Sequence, residues 1–134
     1  MTGHRIDIRV IYADTDAMGI VYHANYIKWF EIGRTELMRA CGIAHADIAP
    51  LGFTLPVTRV YCHYLQPSRL DQVLAVLTTI DYVKRASVKF TYQIWDEALT
   101  ERRVEGYTVH ACTDPDGRVV RLPAPLVERL HAVR

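Results

Sequence analysis

The chain has 134 residues and a mass of 15.3 kDa, with 50% hydrophobic and 23% charged residues. These values predict a single domain over residues 1–134 with a core that needs no disulfide staples. Sixteen Lys and Arg against fifteen Asp and Glu leave a formal charge of +1, which offers nucleic acid no attracting field and leaves any anionic ligand to a local cluster. Stretches free of Asp, Glu, Lys and Arg, such as Ile48–Thr58, reach only about 11 residues against the ~20 of a membrane span. The opening MTGHRIDIRV carries charges where a signal peptide would be apolar. Cys41, Cys62 and Cys112 are odd in number and form no C-x-x-C, so a reducing cytoplasm and thiols acting as small core residues are expected.

The first segment alternates, with Ile6, Ile8, Val10 and Tyr12 on one face of a strand and Arg5, Asp7 and Arg9 on the other. The run Ala13–Gly19 breaks that pattern. From His23 the period changes. Tyr26, Trp29, Phe30, Gly33, Leu37 and Cys41 recur at spacings of three and four, which predicts one long helix of about 16–19 residues, roughly 24–28 Å. Asn25 is a candidate cap and Gly42 a stop. His45–Gly52 reads as irregular or a short helical turn. Strand signals follow at Leu55–Leu65, Gln72–Val83, Ser87–Trp95 and Glu101–Thr113. Asp114-Pro115-Asp116-Gly117 is a turn, after which Arg118–Leu122 is expected to pair back as a hairpin strand, and Pro125–Leu130 forms a short terminal helix. Consecutive strands without crossover helices are antiparallel. The expected architecture is α+β, a curved antiparallel sheet around one central helix, with Lys89, Gln93 and Glu105 on the solvated outer face.

Chemistry concentrates in Tyr12–Tyr26, where Asp14, Asp16, His23 and Asn25 fall within twelve positions at the strand-to-helix junction. A helix start leaves backbone N–H groups unpartnered and carries the positive end of the helix dipole. A carboxylate that can attack or activate water, beside donors that can hold an oxyanion, is the minimum equipment for acyl hydrolysis. The same residues have plainer readings. Aspartates before a helix are commonly caps or turn formers, a lone histidine is commonly structural, and Tyr12 suits core or pocket wall. Between two strands, Lys84-Arg85-Ala86-Ser87 offers two cations and a hydroxyl that suit phosphate oxygens or, equally, a solvated turn. Arg59 and Arg69 are lesser candidates for nucleotide or pantetheine contact. His4, His45, His63, His110 and His131 show no metal-ligand spacing, so no metal site is expected.

The chain resembles the acyl-CoA thioesterases of the hotdog fold, of the 4-hydroxybenzoyl-CoA thioesterase type and its Tol–Pal-associated subgroup. The residues that carry the resemblance are D-T-D-x-x-G-I-V-Y-H-A-N-Y from Asp14, W-F-E-x-x-R-T-E from Trp29, Pro67 before a long strand, and D-P-D-G-R-x-V-R-L-P from Asp114. They stand in the family's order and span nearly the whole chain. The resemblance implies hydrolysis of an acyl-CoA to a free acid and coenzyme A, with Asp16 as the catalytic carboxylate. Asp16 would act as nucleophile through a mixed anhydride or as general base on water. It implies that the His23 backbone N–H polarises the thioester carbonyl while its imidazole places substrate or water. Tyr22, Asn25 and Tyr26 would shape the same junction, and Gly19 would let the backbone turn tightly. Lys84, Arg85 and Ser87 match the turn that meets the coenzyme A phosphates. The implied assembly is a homodimer or homotetramer with the pocket between subunits. No metal or redox cofactor is implied, coenzyme A being part of the substrate. Met18 replaces a residue that is often small, which would narrow the entrance.

Two other readings compete with this one. Asp14-x-Asp16 superficially matches the paired aspartates of Mg²⁺-dependent phosphoryl transfer, but that chemistry comes with a doubly wound parallel sheet and its strand–helix alternation is missing here. A hotdog module that binds acyl-CoA or docks on an acyl carrier protein, with weak turnover, would use the same residues. Acyl length has no motif, and Phe53, Trp29 and Tyr64 suit either core or pocket.

Overall fold

The computed structural model describes residues 3–43 and 49–134. Strand β1 (His4–Arg9) leads through a 3-10 turn (Tyr12–Asp14) to helix α1 (Asn25–Ala40). A second 3-10 turn (Ala49–Leu51) precedes β2 (Val57–Tyr64), β3 (Val73–Val83), β4 (Ser87–Asp96) and β5 (Arg102–Ala111), and helix α2 (Ala124–Val133) ends the chain. The strands form one sheet in the order β1-β3-β4-β5-β2, every neighbouring pair antiparallel.

The apolar stripe of α1 explains where it lies. Tyr26, Trp29, Phe30, Gly33, Leu37 and Met38 are buried, joining Leu74, Val76 and Ile80 of β3 and Val88, Phe90, Tyr92 and Ile94 of β4 in one core cluster. Phe30 stacks on Tyr92 with ring centroids 4.3 Å apart. Along β4 burial alternates strictly, so Lys89 and Gln93 take the outer face, as the period of two requires. Helix on one face of an antiparallel sheet is the hotdog arrangement expected from the sequence.

Gly33 sets how closely helix and sheet approach. A Cβ there would lie 2.5 Å from Thr78 Oγ1 and 3.1 Å from Val76 Cγ1. Thr78 is fully buried, and its hydroxyl has no partner among the described residues. Deeper in the core, Tyr92 Oη and Thr108 Oγ1 are 2.6 Å apart, Thr108 Oγ1 and His110 Nε2 are 2.8 Å apart, and His110 Nδ1 lies 3.0 Å from Leu55 O. Burial holds the His110 imidazole below its usual range. At the far end of α1, Gly42 follows at φ +82, with Gly42 N–H bonded to Arg39 O and Ile43 N–H to Met38 O, a Schellman stop.

Several local expectations are corrected. β1 ends at Arg9, and the 3-10 turn that follows sends Tyr12 outward to 81% exposure instead of into the core. Asn25 is not a side-chain cap. Ala24 is the N-cap residue and no side chain caps the helix. Arg118–Leu122 forms no strand beyond the single Thr113–Val119 bridge. There the Asp114 carboxylate accepts the Asp116 and Arg118 amides, and the Leu122 amide goes to Arg85 O. Cys112 is buried as expected, while Cys41 and Cys62 are half-buried, and all three are free thiols. His45 and the rest of 44–48 lie outside the described residues. No helix among the described residues is long and apolar enough to cross a membrane.

Replacing Gly33 with Ala should lower unfolding stability by about 1–3 kcal/mol, because overpacking against Thr78 exceeds the up to ~1 kcal/mol gained in helix propensity. Urea denaturation of the two proteins checks this, and equal or higher stability in the variant contradicts the close approach.

Candidate active site

Asp14 organises the junction. It is 5% exposed, its Oδ2 accepts the Ile11 amide at 2.9 Å, and its own amide returns to Ile11 O at 3.0 Å. Lys28 Nζ stands 3.6 Å from Oδ1. The Asp14 carbonyl accepts both the Tyr22 amide at 2.8 Å and Asn25 Nδ2 at 2.8 Å. Asn25 therefore works as a tie between the helix start and the incoming chain. Asp14 is the turn former that its plainer reading expected.

Asp16, two residues on, is held differently. Its Oδ1 accepts the Met18 amide at 2.8 Å, and its carbonyl accepts the Gly19 amide at 3.0 Å. Gly19 has φ +77, a conformation costly for other residues. The Asp16 amide donates to Ile20 O at 2.9 Å. Oδ2 of Asp16 has no partner among the described residues. One carboxylate oxygen is thus anchored and the other is free to meet water or substrate. Met18 is 74% exposed at this turn.

Beside the turn lies a cavity of about 340 Å³ whose walls include Ile20, Val21, His23, Tyr26, Tyr64 and Pro67. The Tyr22 ring tilts over His23 with centroids 4.5 Å apart, and Tyr64 meets His23 and Tyr26 edge-on at 6.2 and 5.7 Å. Burial raises the Tyr26 hydroxyl above the ordinary phenol range, opposed by hydrogen bonding with Ser68. The amides of His23, Ala24 and Tyr26 have no acceptor among the described residues. The amide donors thus adjoin the apolar cavity, and Asp16, which does not line it, stands at the neighbouring turn through its amide on Ile20 O. Phe53 and Trp29 are core residues at 3% and 2% exposure.

The basic turn is elsewhere. Lys84 and Arg85 are exposed and Ser87 half-buried at the β3–β4 connection, closed by the Lys84 amide on Ser87 O at 2.8 Å. Lys84 Nζ lies 4.3 Å from the centroid of the Tyr82 ring. Asp71 and Gln72 bond Val10 at the opposite end of β3. The whole of β3, 11 residues or roughly 33 Å, separates the acidic junction from the basic turn. One chain does not bring its Asp16 and its Lys84 together. Next to the turn, a cavity of about 560 Å³ is lined by Lys84, Arg85, Arg121, Leu122, Val127 and Glu128, among others. The sequence signal for Arg121 is its position in the R-x-V-R-L-P run ahead of α2. Arg59 and Arg69 are exposed and join neither cavity.

Comparison with known proteins shows the family and the fold. The chain is 34% identical over 110 residues to YneP of Bacillus subtilis (strain 168), covering 82% of this chain and 79% of that one. It is 33% identical over 111 residues to the acyl-CoA thioester hydrolase YbgC of Escherichia coli O157:H7, covering 83% and 82%. The crystal structure of the hypothetical protein TT1821 from Thermus thermophilus superposes with a TM-score of 0.91 at 26% identity, over 97% of this chain and 98% of that one. Residues 10–130, from the end of β1 well into α2, match the Thioesterase-like superfamily, and the chain belongs to that family.

Proposed function

We propose that the chain hydrolyses acyl-CoA thioesters to a carboxylic acid and coenzyme A. The observation that carries this reading is the half-anchored Asp16 carboxylate set beside unpartnered amides at the start of α1. The amides and the helix dipole favour the negative charge that develops on the thioester oxygen. As general base, Asp16 takes a proton from water while the water oxygen bonds the thioester carbon. As nucleophile, its free oxygen bonds that carbon and water then opens the anhydride. Either way the tetrahedral intermediate collapses with release of the coenzyme A thiolate, which then takes up a proton. No metal or redox cofactor enters the scheme. The name carried by YbgC supports the reaction class, and three free thiols suit a reducing compartment.

A second copy of the chain completes the proposed site. β2 is a sheet edge, eight residues long, with Val57, Val60, Tyr61 and Tyr64 each more than 40% exposed. An open apolar edge of this length invites pairing. The register places Val57 level with His110, and β5 ends beside Ser87 at the basic-turn end of the sheet, while Tyr64 lies at the Asp16 end. Two β2 strands paired antiparallel about a two-fold axis exchange those ends. The partner's basic turn then comes to the end of the sheet where Asp16 stands. Lys84, Arg85 and Ser87 of that copy, with Arg121 beside them, supply phosphate contacts from across the interface.

Asp16→Asn should lower kcat by about 10²-fold or more with little change in melting temperature. Asp14→Asn should chiefly lower stability, because it weakens the buried tie to Ile11 and Lys28. Steady-state kinetics and thermal melts of both variants check this, and equal small rate losses at the two positions contradict the assignment. Replacing Lys84 and Arg85 together with Ala should raise KM for acyl-CoA with kcat nearly unchanged, since exposed phosphate contacts of about 1 kcal/mol each act on ground and transition states alike. An acyl-pantetheine should not register the change. Equal losses on both substrates would show the turn to be structural.

A further inference from the structure

The His23 carbonyl lies one residue ahead of the N-cap Ala24 and so has no donor from the helix. Ile27 N–H, four residues on, bonds Ala24 O at 3.2 Å. The donor to His23 O comes from another element: Tyr64, the last residue of β2, donates its hydroxyl at 3.0 Å, across 41 positions of sequence. We propose that Tyr64 is a positioning residue for the thioester carbonyl, acting through the peptide that joins His23 to Ala24. This role rests on the reading of the junction as a thioester hydrolase.

The reasoning is geometric. In a trans peptide the C=O and the following N–H point in opposite directions in one plane. Tyr22 O is pinned by the Asn25 amide at 2.9 Å, which fixes the direction of the His23 N–H. His23 O is pinned by Tyr64, which fixes the direction of the Ala24 N–H. Both amides lack an acceptor of their own among the described residues, so the two pinned planes present them as a preset pair. Catalytic donors are worth most when they need no reorganisation as charge develops. The first pin is a local turn that any helix start could make. The second exists only because β2 ends where it does.

Tyr64 also stands in the cavity wall, edge-on to His23 and Tyr26. Its ring and its hydroxyl therefore have separable tasks. The ring bounds the space for the acyl group, and the hydroxyl orients the donors. Tyr64→Phe removes the second task and keeps the first, and a residue 43% exposed tolerates that change without a packing defect.

The test is steady-state hydrolysis of one acyl-CoA by wild type and Tyr64→Phe, with amide resonances of His23 and Ala24 recorded for both without substrate. The expected result is a kcat about tenfold lower with KM within about twofold, the scale of one lost hydrogen bond, and a shift confined to the helix-start amides. Tyr64→Ala should add a rise in KM. Unchanged kcat and unshifted amides in Tyr64→Phe, with an active wild type, overturn the positioning role alone. A KM rise in Tyr64→Phe at constant kcat makes the hydroxyl a substrate contact and also overturns it. A wild type inert on short aliphatic, long aliphatic and aromatic acyl-CoAs overturns the hydrolase reading first, and this role with it.

Discussion

The backbone carbonyl of Asp14 accepts two hydrogen bonds, from the Tyr22 amide and from the Asn25 side chain, and the geometry of the site depends on that double acceptance. The chain must leave β1, form the Asp16 turn and start α1 within a dozen residues, and Asp14 lies where those paths cross. Its carboxylate is buried, which is tolerable only because the Ile11 amide and the Lys28 ammonium face it. With Asp14 fixed at the base, the turn from Asp16 to Gly19 projects outward as a short stiff arm. The helix start lies on the other side of the same knot. The Tyr22 amide and the Asn25 side chain on the Asp14 carbonyl therefore hold the carboxylate turn and the helix start in relation, and the Asp16 carboxylate keeps one oxygen uncommitted among the described residues.

Close approach of α1 to the sheet supplies the second constraint. Gly33 over Thr78 lets the helix lie low on β3, and the Phe30–Tyr92 stack fixes its rotation. The helix axis then aims its free amides at the end of the sheet where β2 finishes. Tyr64 and Pro67 reach the cavity from that side. The same topology puts the β3–β4 turn at the far end. A sheet with α1 laid across it thus separates Asp16 from Lys84 and Arg85 by the length of a strand. A two-fold axis through the edge strand is the shortest way to reunite them, and the exposed apolar side chains of β2 are what such an axis would cover.

Much of this was legible in the sequence. The 3.6 period from Tyr26 to Leu37 marked the helix and its buried face, and the period of two in Val88, Phe90, Tyr92 and Ile94 marked β4. The density of Asp, His and Asn between residues 14 and 25 marked the junction. What failed did so for physical reasons. Tyr12 continued the alternation of β1 on paper, but a 3-10 turn overrode it within two residues. Arg118–Leu122 carried strand-like residues, yet its backbone donors and acceptors are used by Asp114, Cys112 and Arg85. Tyr64 and Arg121 could not be found by local period. β2 is exposed on both faces and shows no alternation, and each residue gains its place only from partners distant in sequence.

Complementation between two impaired variants tests the shared site most directly. Asp16→Asn lacks the acid, and the Lys84→Ala, Arg85→Ala double variant lacks the cations. Co-expressed and assayed at acyl-CoA well below KM, random two-fold pairing makes half the pairs mixed, each with one complete site of two. The shared site predicts recovery to about a quarter of the wild-type rate, above the average of the two variants measured apart. A mixture that gives no more than that average would mean that each chain carries acid and cations for its own site, and would contradict the proposed architecture.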